Sequence, residues 1–80
     1  MAERAQQDLS LALTEIGLEV AIAWQKWPPF NSVHEGYAVI LEELDELWEE
    51  AKRKHPDQGK LRAEAKQVAA MAIRFMIELT

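Results

Sequence analysis

The sequence predicts an all-α fold, a long N-terminal helix followed by an antiparallel helical hairpin. Three observations predict it. Apolar residues recur at three- and four-residue steps through three segments, the spacing of buried helical stripes. Prolines interrupt the chain only at Pro28-Pro29 and Pro56, between those segments. No segment reads as a strand. The 80 residues form one helical domain, 1-80.

The first helix is expected over about residues 3-27. Leu9, Leu13, Ile16, Val20, Ala23 and Trp27 make one stripe, and Leu11, Leu18 and Ile22 make a second on another face. Two apolar faces call for cover on two sides, which a single hairpin of the same chain does not readily give. Pro28-Pro29 ends the helix, because proline lacks the amide donor and restricts its predecessor.

Ser32-Val33-His34-Glu35 has the form of a capping box, serine at the N-cap and glutamate three residues on. The second helix is expected over about 33-54, with Tyr37, Ile40, Leu41, Leu44, Leu47, Trp48 and Ala51 as its apolar face. His55-Pro56-Asp57-Gln58-Gly59 is a turn. The third helix is expected over about 60-79, with Leu61, Ala65, Val68, Ala69, Ala72, Phe75, Met76 and Leu79 facing the core.

A chain this short has a limited core to offset its entropy, and it has no cysteine to staple it. At 49% hydrophobic it is too apolar for a disordered segment. Self-association into a homo-oligomer is the remaining means of stabilising it. The net charge of −5 argues against nucleic acid or an anionic membrane as partner. No apolar run reaches the ~18 residues of a membrane span. Met1 to Asp8 lack the basic start and apolar block of a signal peptide, so a cytoplasmic location is expected.

The chemistry concentrates in Glu42-Glu43-Leu44-Asp45-Glu46-Leu47-Trp48-Glu49-Glu50, with six carboxylates in little more than two turns. Like charges three or four residues apart cost roughly 0.2–0.5 kcal/mol per pair unless a cation offsets them. Glu49→Arg53 and Glu50→Lys54 are pairs in the favourable order and give those two glutamates a solvated-face reading. Glu42 and Asp45 also read as surface.

Glu43 and Glu46 differ. At ~100° per residue they fall about 100° and 160° from Leu44, and Glu64 and Gln67 fall about 80° and 140° from Ala72 with the same sign. In an antiparallel hairpin the four share one groove. Oxygen-rich groups of this kind suit Mg²⁺, with Mn²⁺ as its substitute. The chemistry implied is hydrolysis at a polyphosphate.

Glu43-Leu44-Asp45-Glu46 followed by Glu64-Ala65-Lys66-Gln67 resembles the ExxE…ExxD signature of the MazG-like all-α nucleotide pyrophosphohydrolases, over helices two and three. Glu42 fits the doubled glutamate often seen there. The resemblance implies an oligomeric bundle that uses Mg²⁺ to hydrolyse a nucleoside triphosphate to monophosphate and pyrophosphate. It implies Glu43, Glu46, Glu64 and Gln67 as metal ligands, with Glu42 or Glu46 orienting the water. Gln67 stands where the family has aspartate, and a neutral amide weakens the centre.

Trp24, Trp27 and Phe30 surround the Pro-Pro corner, where they either stack on a nucleobase or seal a bundle end. Sealing is the favoured reading. Lys26, Arg74 and His34 are further candidates to approach phosphates, His34 otherwise being an exposed first-turn residue. The alternative function is a non-catalytic oligomeric interaction or nucleotide-binding module. It fits a third helix that closes the sequence with no further helix to cover a substrate. The scattered glycines form no phosphate loop, and no nucleophile triad is present.

Overall fold

The computed structural model describes residues 3–80, and Met1-Ala2 of the segment read for a targeting signal lie outside them. The described chain is all-helical: α1 Glu3–Lys26, α2 Val33–Ala51 and α3 Gln58–Leu79. No described helix is long and apolar enough to cross a membrane. α3 packs against both α1 and α2. The molecule is 20 Å thick in its shortest dimension, room for about two helix diameters. Among the described residues no third layer covers the outer helix faces.

The helix ends follow their local chemistry. Ser32 has an extended backbone, and its hydroxyl accepts from the Glu35 N–H at 3.1 Å. The reciprocal half of the capping box is displaced by one residue. The Glu35 carboxylate accepts from the backbone N–H and side-chain amide of Asn31, at 2.9 and 3.0 Å. Asp57 caps α3 by accepting from Lys60 N–H at 2.9 Å. That capping starts α3 two residues before the expected Lys60. α2 stops at Ala51 with Lys52 as its C-cap, short of the expected Lys54.

The core contains Val20 and Ala23 of α1, Phe30 of the connector, and Ala70 and Met71 of α3, with Val39 and Ile40 of α2 packed against it. The packed faces are turned from the expected ones. On α2, Gly36, Val39, Ile40, Glu43, Leu47 and Glu50 are buried or half-buried, while Tyr37, Leu41, Leu44 and Trp48 are exposed. On α3 the most buried positions are Ala70, Met71 and Arg74, and the expected core residues Ala65 and Met76 are exposed.

The physical reason lies in the polar residues. Glu50 and Arg74 find partners inside the fold, which allows their face to pack. Close approach also favours that face. A Cβ on Gly36 would stand 2.7 Å from both Leu79 Cδ1 and Phe75 Cδ2, so glycine lets α2 and α3 meet there. The displaced residues form an exposed apolar stripe, with Leu44 47% and Trp48 60% accessible. Leu9, Leu11, Leu13 and Leu18 of α1 are likewise exposed.

Candidate functional site

The carboxylates of α2 divide into two kinds. Glu43, Glu46 and Glu64 each place a carboxylate oxygen within 4.8 Å of the others, joining α2 to α3. Burial and the nearby Glu46 push the Glu43 carboxyl up to about 7. Glu64 is raised in the same direction by burial and by its contact with Glu46. No lysine or arginine forms an ion pair with any of the three among the described residues. Glu43 and Glu64 therefore hold a proton more readily than an ordinary carboxyl.

Glu50 lies two turns beyond Glu43 and behaves in the opposite way. Its carboxylate accepts from the Asp57 N–H at 2.8 Å and from Arg53 Nη1 at 3.2 Å. The Asp57 bond and the Arg53 guanidinium hold it below the usual carboxylate range against the effect of burial. The expected solvated role for Glu50 is thus corrected: it is 7% accessible and ties α2 to the start of α3. Its basic partner is Arg53, not Lys54, and that of Glu49 is Lys52 at 3.0 Å, not Arg53. Both pairings move from four residues to three, because the helix ends at Ala51 and its last turn closes onto the cap.

A cavity of about 530 Å³ adjoins the carboxylate group, with Glu43 in its wall. Trp27, Pro28 and Phe30 supply one side, Val39 and Met71 the apolar interior, and Lys26, Glu42 and Gln67 part of the polar lining. A separate, more open depression is lined by Glu46 and Glu64 together with Lys60. The three carboxylates stand between these two hollows. A volume of this size falls within the range that takes a small ligand.

The other expected residues separate in the structure. Phe30 is buried, which fits the sealing reading, and the Arg74 guanidinium lies 4.2 Å from its ring centre. Trp27 is exposed at the cavity edge, with Lys26 also in the lining. Trp24 does not line the cavity; its indole N–H donates to Glu78 Oε2 at 2.8 Å. His34 is exposed in the first turn of α2 and also lies outside the lining. Asp45 is exposed.

Arg74 is not free to meet a phosphate. It is buried and donates to Glu78 at 2.7 Å and to the Pro28 carbonyl at 3.1 Å. Glu78 also accepts from Phe30 N–H at 2.7 Å. Burial pushes the Glu78 carboxyl up, but Arg74 and the two N–H donors outweigh it and hold the group below its usual range. This clasp fixes the connector that forms the cavity wall. Its signal in the sequence is an Arg-Glu spacing of four on α3.

Gln67 faces another partner than the one expected. Its Nε2 donates to Glu19 Oε2 of α1 at 2.7 Å, while Gln67, Glu19 and Glu43 all line the cavity. Compared with family models, curated proteins and solved structures, the chain matches none.

The donor set suits a hard divalent cation. All three ligands are carboxylates, they come from two helices, and two of them are raised in pKa by uncompensated charge and burial. Three oxygens on one octahedral Mg²⁺ include at least two pairs about 3 Å apart, so the three carboxylates, spread over as much as 4.8 Å, would draw together to close on it.

Proposed function

We propose that this chain is a divalent-cation-dependent nucleoside triphosphate pyrophosphohydrolase of the MazG-like all-α kind. The observation that carries the reading is the convergence of Glu43, Glu46 and Glu64 from two helices without a basic partner. These three residues would hold Mg²⁺ or Mn²⁺, with Gln67 as a neutral fourth. Such a metal would supply Lewis-acid chemistry, polarising a phosphoryl group and making water more acidic.

The rest of the work falls to the chain. Glu42 or Glu46 accepts a hydrogen bond from the attacking water and takes its proton. Both are exposed; Glu42 adjoins the proposed ligand set and Glu46 belongs to it. Trp27, exposed at the cavity edge, offers aromatic surface to a base, and Lys26 a cation in the same lining. Lys60 offers another beside Glu46 and Glu64. Attack at the phosphorus nearest the sugar releases monophosphate and pyrophosphate.

In this reading α2 and α3 form an antiparallel hairpin, and copies of the chain assemble through their exposed stripes. Tyr37, Leu41, Leu44 and Trp48 recur at helical spacing on the outside of α2, an apolar face that a second copy would cover. A homodimer or homotetramer working on cytoplasmic nucleotides is the form proposed.

A second reading has its own support. Gln67 lacks the charge that the resembled family places there, which favours a nucleotide-binding or interaction module with a weakened centre. One experiment separates the two. Pyrophosphate release is followed across nucleoside triphosphates with EDTA, Mg²⁺ and Mn²⁺, alongside melting temperature. Metal-dependent release supports the enzyme; a metal- or nucleotide-induced rise in melting temperature without release supports the module. Neither effect with any nucleotide would remove the enzymatic reading.

A further inference from the structure

We infer that the outer face of α1 is a self-association surface, on which the α1 of a second copy of this chain packs. The inference rests on the self-assembly proposed above and not on the metal or on catalysis.

Among the described helices α1 packs only on α3. Val20 and Ala23 are buried on that side, with Ile16 half-buried beside them. At ~100° per residue the opposite direction runs along Ser10, Thr14, Gly17 and Ala21, all exposed. Leu13 and Trp24 flank this line on one side, Leu11 and Leu18 on the other, each 46–62% accessible. Small side chains between two rows of large ones make a furrow into which a ridge of another helix fits. The Thr14 hydroxyl already donates to the Ser10 carbonyl at 3.0 Å, so covering it strands no polar group. A Cβ on Gly17 would have nothing within 4 Å. Glycine inside a helix costs stability relative to alanine, and the packing of the lone protomer does not call for it. Close approach of a second helix does.

The surface area calls for a protein partner. The chain exposes 6080 Å², where a folded monomer of 9.2 kDa exposes about 4,900 Å². The surplus of roughly 1,100 Å² exceeds the ~800 Å² that each partner buries in a standard stable interface. The radius of gyration, 13.9 Å, likewise exceeds the ~11.6 Å of a compact chain of this length.

Charge identifies that partner as another copy. Between Ala5 and Gln25 the charged residues are Asp8, Glu15 and Glu19, and the same angular count puts all three on the arc opposite the furrow. A two-fold pairing sets a patch against itself, which in a chain of net charge −5 favours a patch without charge. The α2 stripe meets this condition less well, since exposed Glu42, Asp45 and Glu49 run beside it. The α1 face is therefore the one that pairs first.

The test is sedimentation equilibrium of the wild type, Gly17→Glu, Leu18→Glu and Leu44→Glu, with circular dichroism as the control for folding. Gly17→Glu puts a better helix former at a position open in the protomer, so it spares the monomer. The wild type is expected to associate. Gly17→Glu and Leu18→Glu are expected to weaken association about a hundredfold, the scale of like charges facing each other across an interface. Leu44→Glu should leave the pairing on α1 intact.

Association as strong in Gly17→Glu and Leu18→Glu as in the wild type overturns the α1 surface. If Leu44→Glu alone then abolishes it, self-assembly stands and runs through α2. A wild type that stays monomeric overturns the self-assembly and the inference together, and leaves the metal reading untouched. Thiol reactivity covers the case in which the charged variants unfold. The chain has no cysteine, so Ala21→Cys reports on its face alone. Its reaction with a maleimide should slow as protein concentration rises through the association, and a rate independent of concentration overturns the inference.

Discussion

Glu43 and Glu50 stand seven residues apart on the packed face of one helix, yet their protons behave oppositely. Glu50 has a backbone N–H and a guanidinium at hydrogen-bond distance, and its carboxyl titrates below the usual range. Glu43 has Glu46 and Glu64 for neighbours, and its carboxyl rises to about 7. Burial opposes charge at both. The difference is whether the fold supplies the compensating donors. Where it does, as also at Glu78, the carboxylate ties elements together. Where it does not, the carboxyl keeps its proton to higher pH.

The largest effect expected is on metal affinity. Glu43→Gln removes one of three anionic ligands and should abolish measurable Mn²⁺ binding, whereas Glu50→Gln should leave it within about twofold, since its charge is already paired. Calorimetric titration of the two variants checks this.

Next in size is the clasp. Glu78→Ala leaves Arg74 buried without its carboxylate and should cost about 3 kcal/mol of stability. Urea unfolding measures it. Equal unfolding midpoints for wild type and variant would contradict the role given to the clasp.

Smaller, but opposite in sign at the two positions, are the effects of charge removal without metal. At pH 8 with EDTA, Glu43→Gln should raise the melting temperature and Glu50→Gln should lower it. The pH dependence sharpens this. Between the ordinary value of 4.5 and about 7, folded Glu43 retains a proton that the unfolded chain has lost. Its contribution to stability is therefore fully present below about pH 4.5 and is lost as pH rises through 7. The wild type should lose stability relative to Glu43→Gln over that window. Glu50, depressed in the fold, contributes stability that is lost as pH falls.

The smallest effect concerns the helix start. Ser32→Ala removes the acceptor for the Glu35 N–H and should cost about 1 kcal/mol, with no change in metal affinity. Thermal unfolding and a Mn²⁺ titration of that variant read the two quantities separately.

Three helices, their connectors and the grouping of Glu43 and Glu46 with Glu64 were legible from periodicity and the prolines. The packed faces were not. Taking Leu44 as the centre of α2 assumes that the most apolar arc faces inward. In this chain Tyr37, Leu41, Leu44 and Trp48 remain outside while Gly36, Glu43 and Glu50 pack. The polar residues pack because they find partners, some of them off the helical i,i+3 and i,i+4 spacing: the Asp57 N–H for Glu50, and the Pro28 carbonyl for Arg74. Such partners leave no local pattern. The same limit applies to Gln67, whose hydrogen bond reaches back 48 residues to Glu19.

The central claim is that Glu43, Glu46 and Glu64 form a cation centre, and its most direct test is a Mn²⁺ titration at pH 8 of wild type beside Glu43→Gln. The account predicts saturable binding, a raised melting temperature in the wild type and neither in the variant. Binding of equal strength in both, or in neither, would contradict it.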